Sequence, residues 1–278
     1  MPKANNGAVA IEYEAFGDPG APVILLVNGL GSQMTRWPEA FCAGLTAKGY
    51  RAVRYDNRDT GLSTWFRPGE SYSLQDMAAD GMAVLDALGV ETAHVAGVSM
   101  GGMIAQAAAI GWPHRVRSLT SIMSASGAPG TLDPTPEAGA VLTVAPPDPA
   151  ADFEAYLDHM VASALVIGSP AYPWPDGALR ERAAAEYRRA YNPTCNQRQM
   201  AAIRSDGDRT ARLAALALPT VVLHGADDPL VPLAGGQATA AAIPAAELRV
   251  IEGMGHDLPP ALFDIVADAI LAAAARAA

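Results

Sequence analysis

Val23 to Val27 reads VILLV, an apolar run with no polar interruption. A run of that length suits a strand in the middle of a parallel sheet, where both faces are covered and no alternation is needed. Arg51 to Tyr55 (RAVRY), His94 to Val98 (HVAGV), Val116 to Met123, Thr220 to His224 (TVVLH) and Leu248 to Ile251 are the further strands the pattern predicts. Between them the hydrophobic period lengthens. Leu74 to Leu88 places Met77, Ala78, Met82, Leu85 and Leu88 near a 3.6-residue repeat, as a helix with one apolar face does. Helices are also predicted over Pro38 to Lys48, Gly102 to Ile110 and Gly235 to Ile243, and from about Pro260 onward. Strands alternating with helices in this way give an α/β fold, a mostly parallel central sheet with helices on both faces.

The alternation stops near Ser126. Pro129, Pro134, Pro136, Pro146, Pro147 and Pro149 punctuate the next stretch, and helical patterns follow over Asp152 to Ile167, Asp176 to Tyr191 and Cys195 to Ser205. Strand character returns only at Thr220. The expected organisation is therefore a sheet domain, residues 1–126 and 210–278, split by a mostly helical cap over residues 127–209. No internal repeat is visible.

Gly97-Val98-Ser99-Met100-Gly101 matches G-x-S-x-G, between a predicted strand and a predicted helix. That is the context in which the pentapeptide forms a tight, strained turn that presents the serine. Gly97 and Gly101 allow strand and helix to approach. A serine hydroxyl needs a general base to become a nucleophile. In sheet proteins with this turn, an acid and then a histidine follow the serine along the chain. Of His94, His114, His159, His224 and His256, only the last two come late enough. His224 ends an apolar strand, whereas His256 sits on a glycine-flanked loop and is the better base. The acid is expected just after TVVLH, where Asp227 and Asp228 are adjacent. Asp228, directly before Pro229-Leu230-Val231-Pro232, is favoured. Asp227 reads as a turn residue bonded to local backbone. Negative charge developing on a substrate oxygen needs two backbone N–H donors. Met100 offers one, and Leu30, in the Asn28-Gly29-Leu30-Gly31 loop after VILLV, offers the other.

Charge and composition narrow the partners. The formal net charge of −10 argues against nucleic acid or an anionic membrane surface as a ligand, since both attract basic patches. It suits a small neutral substrate. Cys42 and Cys195 are far apart and in no metal-ligand spacing, which favours two free thiols in a reducing compartment and no metal. The polar start Met-Pro-Lys-Ala-Asn-Asn lacks the apolar run of a secretory signal, and no stretch approaches the ~20 apolar residues of a membrane span. A soluble, cytoplasmic protein is expected. Its oligomeric state is not legible.

With these motifs in place, residues 8–126 and 210–275 resemble an α/β-hydrolase carrying an inserted helical cap. Tyr55-Asp56-Asn57-Arg58-Asp59-Thr60-Gly61-Leu62-Ser63 is similar to the D-x-R-[GD]-x-G-x-S stretch of that family. Asp59, the Asp228-Pro229 pair and Gly253-Met254-Gly255-His256 look closest to the aclacinomycin methylesterase-like branch. The resemblance implies a Ser99–Asp228–His256 triad, oxyanion donors at Leu30 and Met100, hydrolysis of a small carboxylic ester, and no cofactor. It leaves open a lactonase, a C–C bond hydrolase, or a non-catalytic binder of small molecules on the same scaffold. Epoxide hydrolases and dehalogenases carry aspartate where this chain has Ser99. The sequence departs from the family at Asn28-Gly29, where His-Gly is usual; the amide of Asn28 offers similar hydrogen bonding. Arg58 is read as tying its loop to neighbouring elements. In the cap, Trp174, Tyr156 and Met160 are the candidate substrate contacts, with the cap's own core as the alternative role for them.

Overall fold

The computed structural model describes residues 2–277. Two strands missing from the pattern above come first, β1 (Lys3–Asn6) and β2 (Val9–Phe16). They form an antiparallel hairpin whose register pairs Asn6 with Val9, so Gly7 and Ala8 make a two-residue loop. Gly7 has φ +60°, which suits glycine at the first central position of such a turn. Then follow β3 (Val23–Val27), α1 (Glu39–Ala47), β4 (Arg51–Tyr55), α2 (Leu74–Ala87), β5 (Ala93–Val98), α3 (Met100–Gly111) and β6 (Val116–Ile122). Five helices come next: α4 (Pro136–Thr143), α5 (Phe153–Ile167), α6 (Ala178–Arg189), α7 (Cys195–Asp206) and the short α8 (Thr210–Leu213). The chain ends with β7 (Thr220–Gly225), α9 (Leu233–Ala242), β8 (Glu247–Ile251) and α10 (Phe263–Ala275).

The eight strands form one sheet in the order β1-β2-β4-β3-β5-β6-β7-β8. β1 and β2 are antiparallel to their neighbours, and every pairing from β4 to β8 is parallel. The unbroken VILLV run has its explanation here: all five residues of β3 are buried, and they divide between two cores. Val23, Leu25 and Val27 face Met77 and Leu85 of α2 and Ile104 of α3. Ile24 and Leu26 face Phe41 and Leu45 of α1 and Val266 and Ile270 of α10. Because β3, β5, β7 and β8 are parallel, their C-terminal ends share one edge, where an open sheet of this kind binds its ligands.

Helix starts follow local chemistry. Ser73 and Asp76 form a reciprocal capping box on α2. Asp152 caps α5 through the Ala155 N–H at 2.9 Å, so this residue is the cap and not the first helical turn. α4 arises inside the proline-rich stretch because Pro136 occupies its first position, where no N–H is needed, and Thr135 caps it.

The segment after β4 is held by charge. Arg58 donates from Nε to Asp80 Oδ2 at 2.6 Å and from Nη2 to Oδ1 at 2.7 Å, with both side chains buried, and its guanidinium lies over the rings of Phe66 and Tyr72. Removing one member of a buried pair strands the other. Asp80→Ala is expected to cost about 3–5 kcal/mol of stability, read as a fall in the urea midpoint. The double variant Arg58→Met, Asp80→Leu should lose much less, because no charge remains unpaired.

Candidate active site

Ser99 leaves the end of β5 with φ 59° and ψ −125°, a backbone conformation that residues other than glycine rarely adopt. The neighbouring glycines make it attainable. A Cβ on Gly97 would stand 2.0 Å from the Gly101 carbonyl oxygen, and one on Gly101 would stand 2.3 Å from that of Val27. No side chain fits at either position, so β5 and α3 close tightly around the serine. The Ser99 N–H donates to Ile122 O at 2.8 Å, which ties the turn to β6.

His256, in the loop after β8, places Nε2 2.9 Å from Ser99 Oγ. Its Nδ1 lies 2.7 Å from Asp228 Oδ2. A carboxylate only accepts, so Nδ1 carries the proton and Nε2 is free to accept from the serine. Asp228 Oδ1 accepts from the Leu230 and Val231 N–H groups, both at 2.9 Å, which fixes the carboxylate in its turn. Its side chain has no solvent exposure. Asp227 is exposed and points elsewhere, accepting from Gly253 N–H at 2.8 Å.

The other late histidine is close by but behind the acid. His224 Nε2 donates to Val231 O at 2.8 Å and lies 3.7 Å from Asp228 Oδ2. Burial holds its pKa below the ordinary histidine range, so it is a neutral prop of the Asp228 turn. His94 is remote from this group. It bonds Ser118 Oγ at 2.9 Å, and burial, with help from Arg117, pushes its pKa down to about 4. The two cysteines are free and buried. Burial pushes Cys42 up to about 11 and Cys195 up to about 12, so both thiols stay protonated and unreactive at neutral pH.

The loop after β3 reaches the serine. A Cβ on Gly29 would contact Ser99 Cβ at 3.2 Å. Asn28, which stands where the family usually has histidine, is fully buried; its Nδ2 donates to Tyr55 O at 2.7 Å, and its own carbonyl accepts from Asn57 Nδ2 at 2.9 Å. The amide thus orders the loop. Among the described residues, neither the Leu30 N–H nor the Met100 N–H donates to a protein acceptor.

The helices between β6 and β7 are bonded to this edge at several points. Gln199 Oε1 accepts from Gly31 N–H at 2.7 Å, and Arg198 grips Asp59 through Nε at 2.7 Å and Nη2 at 3.0 Å. Arg189 pairs with Asp56 at 2.8 Å. Of the residues expected to contact substrate, Tyr156 is enclosed by Phe153, Tyr187 and Tyr191 and is only 4% exposed. Met160 packs against the same cluster. Both side chains pack within the helical segment between β6 and β7, where the rings of Phe153, Tyr156, Tyr187 and Tyr191 bury apolar surface against one another. Trp174 is half-buried, and its indole N–H donates to Asp257 Oδ2 at 2.7 Å. Sequence reasoning passed over Asp257 and its partner Ser169, although Asp257 directly follows the candidate base.

A model of the alpha/beta hydrolase fold family matches residues 22–259. The chain belongs to that family. Rhodomycin D methylesterase DauP of Streptomyces sp. strain C5 is 29% identical over 95% of this chain and 94% of its own length. The putative carbamate hydrolase RutD of Azorhizobium caulinodans is 31% identical over 98% of this chain and 97% of its own. Among solved structures, a meta-cleavage product hydrolase from Pseudomonas fluorescens IP01 superposes with a TM-score of 0.79 at 21% identity, covering 100% of this chain and 98% of that one, a likeness of fold. Among the described residues no helix is long and apolar enough to cross a membrane.

Proposed function

We propose that this protein hydrolyses carboxylic esters through an acyl-enzyme, with Ser99 as nucleophile, His256 as general base and Asp228 as the acid that orients it. The observation that carries the reading is the continuous chain Ser99 Oγ···Nε2 His256 Nδ1···Asp228 Oδ2, at 2.9 and 2.7 Å. His256 takes the hydroxyl proton as Oγ attacks the ester carbonyl. It then returns the proton to the leaving alcohol, and water enters by the same route to free the acid. Asp228 holds the productive tautomer and steadies the imidazolium. The N–H groups of Leu30 and Met100 receive the oxyanion, a contribution of about 2.7–4 kcal/mol per donor in comparable sites. No cofactor or metal enters the reaction.

Residues 127–209 act in this reading as a cap over Ser99. Support comes from the bonds of Gln199, Arg198 and Arg189 to the loops after β3 and β4. Such a cap excludes water and strengthens the electrostatics beneath it. The partner is a small ester, and the compartment is the cytoplasm, where free Cys42 and Cys195 persist as thiols. The methylesterase relative favours a methyl ester. The carbamate hydrolase relative favours a second reading, in which the same triad attacks a carbamate carbonyl.

Mixing the protein with p-nitrophenyl acetate is expected to give a burst of nitrophenol and an acetyl adduct on the peptide containing Ser99, detected by mass spectrometry after acid quench. Turnover with an adduct on any other residue would overturn the assignment. Turnover of phenyl carbamates without any ester hydrolysis would favour the second reading.

A further inference from the structure

The loop that carries His256 is pressed against the end of α5 and the segment after it. A Cβ on Gly255 would stand 2.3 Å from Gly168 O and 2.7 Å from Ile167 O, and one on Gly253 would stand 2.2 Å from Ala171 Cβ. The His256 N–H donates to Ile167 O at 2.7 Å, and the Ala171 N–H donates to Gly253 O at 3.1 Å. Beside the candidate base the contacts form a directional chain. The Gly255 N–H donates to Ser169 Oγ at 2.9 Å, and the Ser169 hydroxyl donates to Asp257 Oδ1. Asp257 Oδ2 accepts from the indole of Trp174 at 2.7 Å. Asp257 is 3% exposed, and both of its oxygens face donors. The guanidinium of Arg182 lies 4.6 Å from the centre of the Trp174 ring. A cation over the π-face draws density from the indole and makes its N–H a stronger donor toward Asp257.

Nothing in the triad chemistry uses Asp257, Ser169 or Trp174. A buried carboxylate is costly unless its oxygens are satisfied, and here both donors to Asp257, the Ser169 hydroxyl and the Trp174 indole, come from the segment between β6 and β7. We infer that Asp257, Ser169 and Trp174 form a latch that fastens the His256 loop to the insertion, so that the base is in place only while the insertion is seated. The three are positioning residues, acting through His256, and the inference rests on the reading of His256 as the base. It gives Trp174 a role different from that of a pocket wall. A latch of this kind acts on every ester alike, because it sets where Nε2 stands relative to Ser99 Oγ and touches no part of the acyl chain.

Trp174→Phe removes the N–H while keeping an aromatic ring beside Arg182, at the cost of the indole's second ring. Ser169→Ala removes the middle of the chain by deleting one oxygen, and so separates loss of the hydrogen bonds from loss of ring volume. Each is to be assayed on p-nitrophenyl acetate and p-nitrophenyl octanoate. Hydrogen exchange of residues 252–258 is to be measured on the same proteins. The expected result is a fall in kcat of about 10- to 100-fold, the effect of a misplacement on the order of 1 Å. The fall should be the same for both esters, with KM within about twofold because the base acts in the transition state, and exchange in 252–258 should be faster. Faster exchange with unchanged kcat would reduce the cluster to a structural role and overturn the inference. A loss confined to the octanoate ester would make Trp174 a pocket wall and overturn it as well. Should the wild-type protein cleave no ester, the proposed function fails, and the exchange data alone still decide whether the loop is held by these residues. Unchanged exchange in both variants would remove the latch.

Discussion

Ser99→Ala is expected to lower kcat for ester hydrolysis by about 10⁴-fold or more, the scale on which removal of a triad member acts, while the protein remains folded. The substitution deletes one oxygen. The turn around it is held by backbone and glycine contacts that do not involve this side chain: the Ser99 N–H bond to Ile122 O, and the close approaches of Gly97 to Gly101 and of Gly101 to Val27. Alanine meets the same cost as serine at φ 59°, so the strain neither grows nor is released. What is lost is the oxygen that stands within hydrogen-bond reach of His256 Nε2, on the side away from Asp228. The residual rate should then reflect the oxyanion donors and binding alone. Steady-state kcat on p-nitrophenyl acetate, compared with far-ultraviolet circular dichroism and the thermal midpoint, checks both halves of the statement. Wild-type turnover in the variant would remove Ser99 from the mechanism.

The parts of this molecule that were legible in its sequence are those whose physics is local. β3, β5 and β7 are buried on both faces, so apolar residues dominate them and stand out as runs, unbroken in β3 and interrupted only by His94 in β5 and by Thr220 and His224 in β7. The glycines around Ser99 and before His256 mark places where backbones touch, and such contacts exclude every other side chain. The β1–β2 hairpin was less visible. β2 is antiparallel and near the sheet edge, and it carries Glu12 and Glu14 among its apolar residues, so no run forms. The Asn6-Gly7 pair was its one signal, a turn dipeptide ahead of an alternating stretch. α4 was hidden by its prolines, which break helices internally but start them well.

The insertion was the least legible part for a different reason. Its aromatic residues could be counted, but whether an aromatic ring faces a substrate, a core or a hydrogen-bond acceptor depends on tertiary neighbours. Tyr156 ends in a cluster with three other rings, while Trp174, of similar chemistry, reaches a carboxylate beside the candidate base. The bonds from Arg198 to Asp59 and from Gln199 to Gly31 span 139 and 168 residues of chain. No periodicity or spacing encodes contacts at that separation. Arg58 and Asp59 are neighbours in one motif, yet Arg58 turns to Asp80 of α2 and Asp59 to α7. One short segment therefore ties the sheet both to its own helix layer and to the insertion.

Asp228→Asn is expected to reduce kcat by about 10⁴-fold, as the corresponding change does in a serine protease, whereas Asp227→Asn should change it by no more than about threefold, the range of an ordinary surface substitution. The two positions are adjacent, so the contrast depends on geometry and not on distance along the chain. Asp228 Oδ1 accepts two backbone N–H groups, from Leu230 and Val231. In the asparagine variant those donors hold the amide oxygen on their side, and the NH₂ group must turn toward His256. It then donates to Nδ1, which has to give up its proton and become an acceptor. The proton moves to Nε2, and the ring presents N–H to Ser99 Oγ where it must present a lone pair. The fold survives because the turn keeps its two backbone bonds, but the base is held in the wrong tautomer. Asp227 is exposed and accepts one bond, from Gly253 N–H at 2.8 Å, which an amide oxygen accepts as well. Nothing in that bond bears on the tautomer of His256. Parallel measurement of kcat for the two variants on one ester decides between the neighbours: a larger loss in Asp227→Asn would transfer the acid's role to Asp227, and equal mild losses would mean that neither carboxylate orients the base.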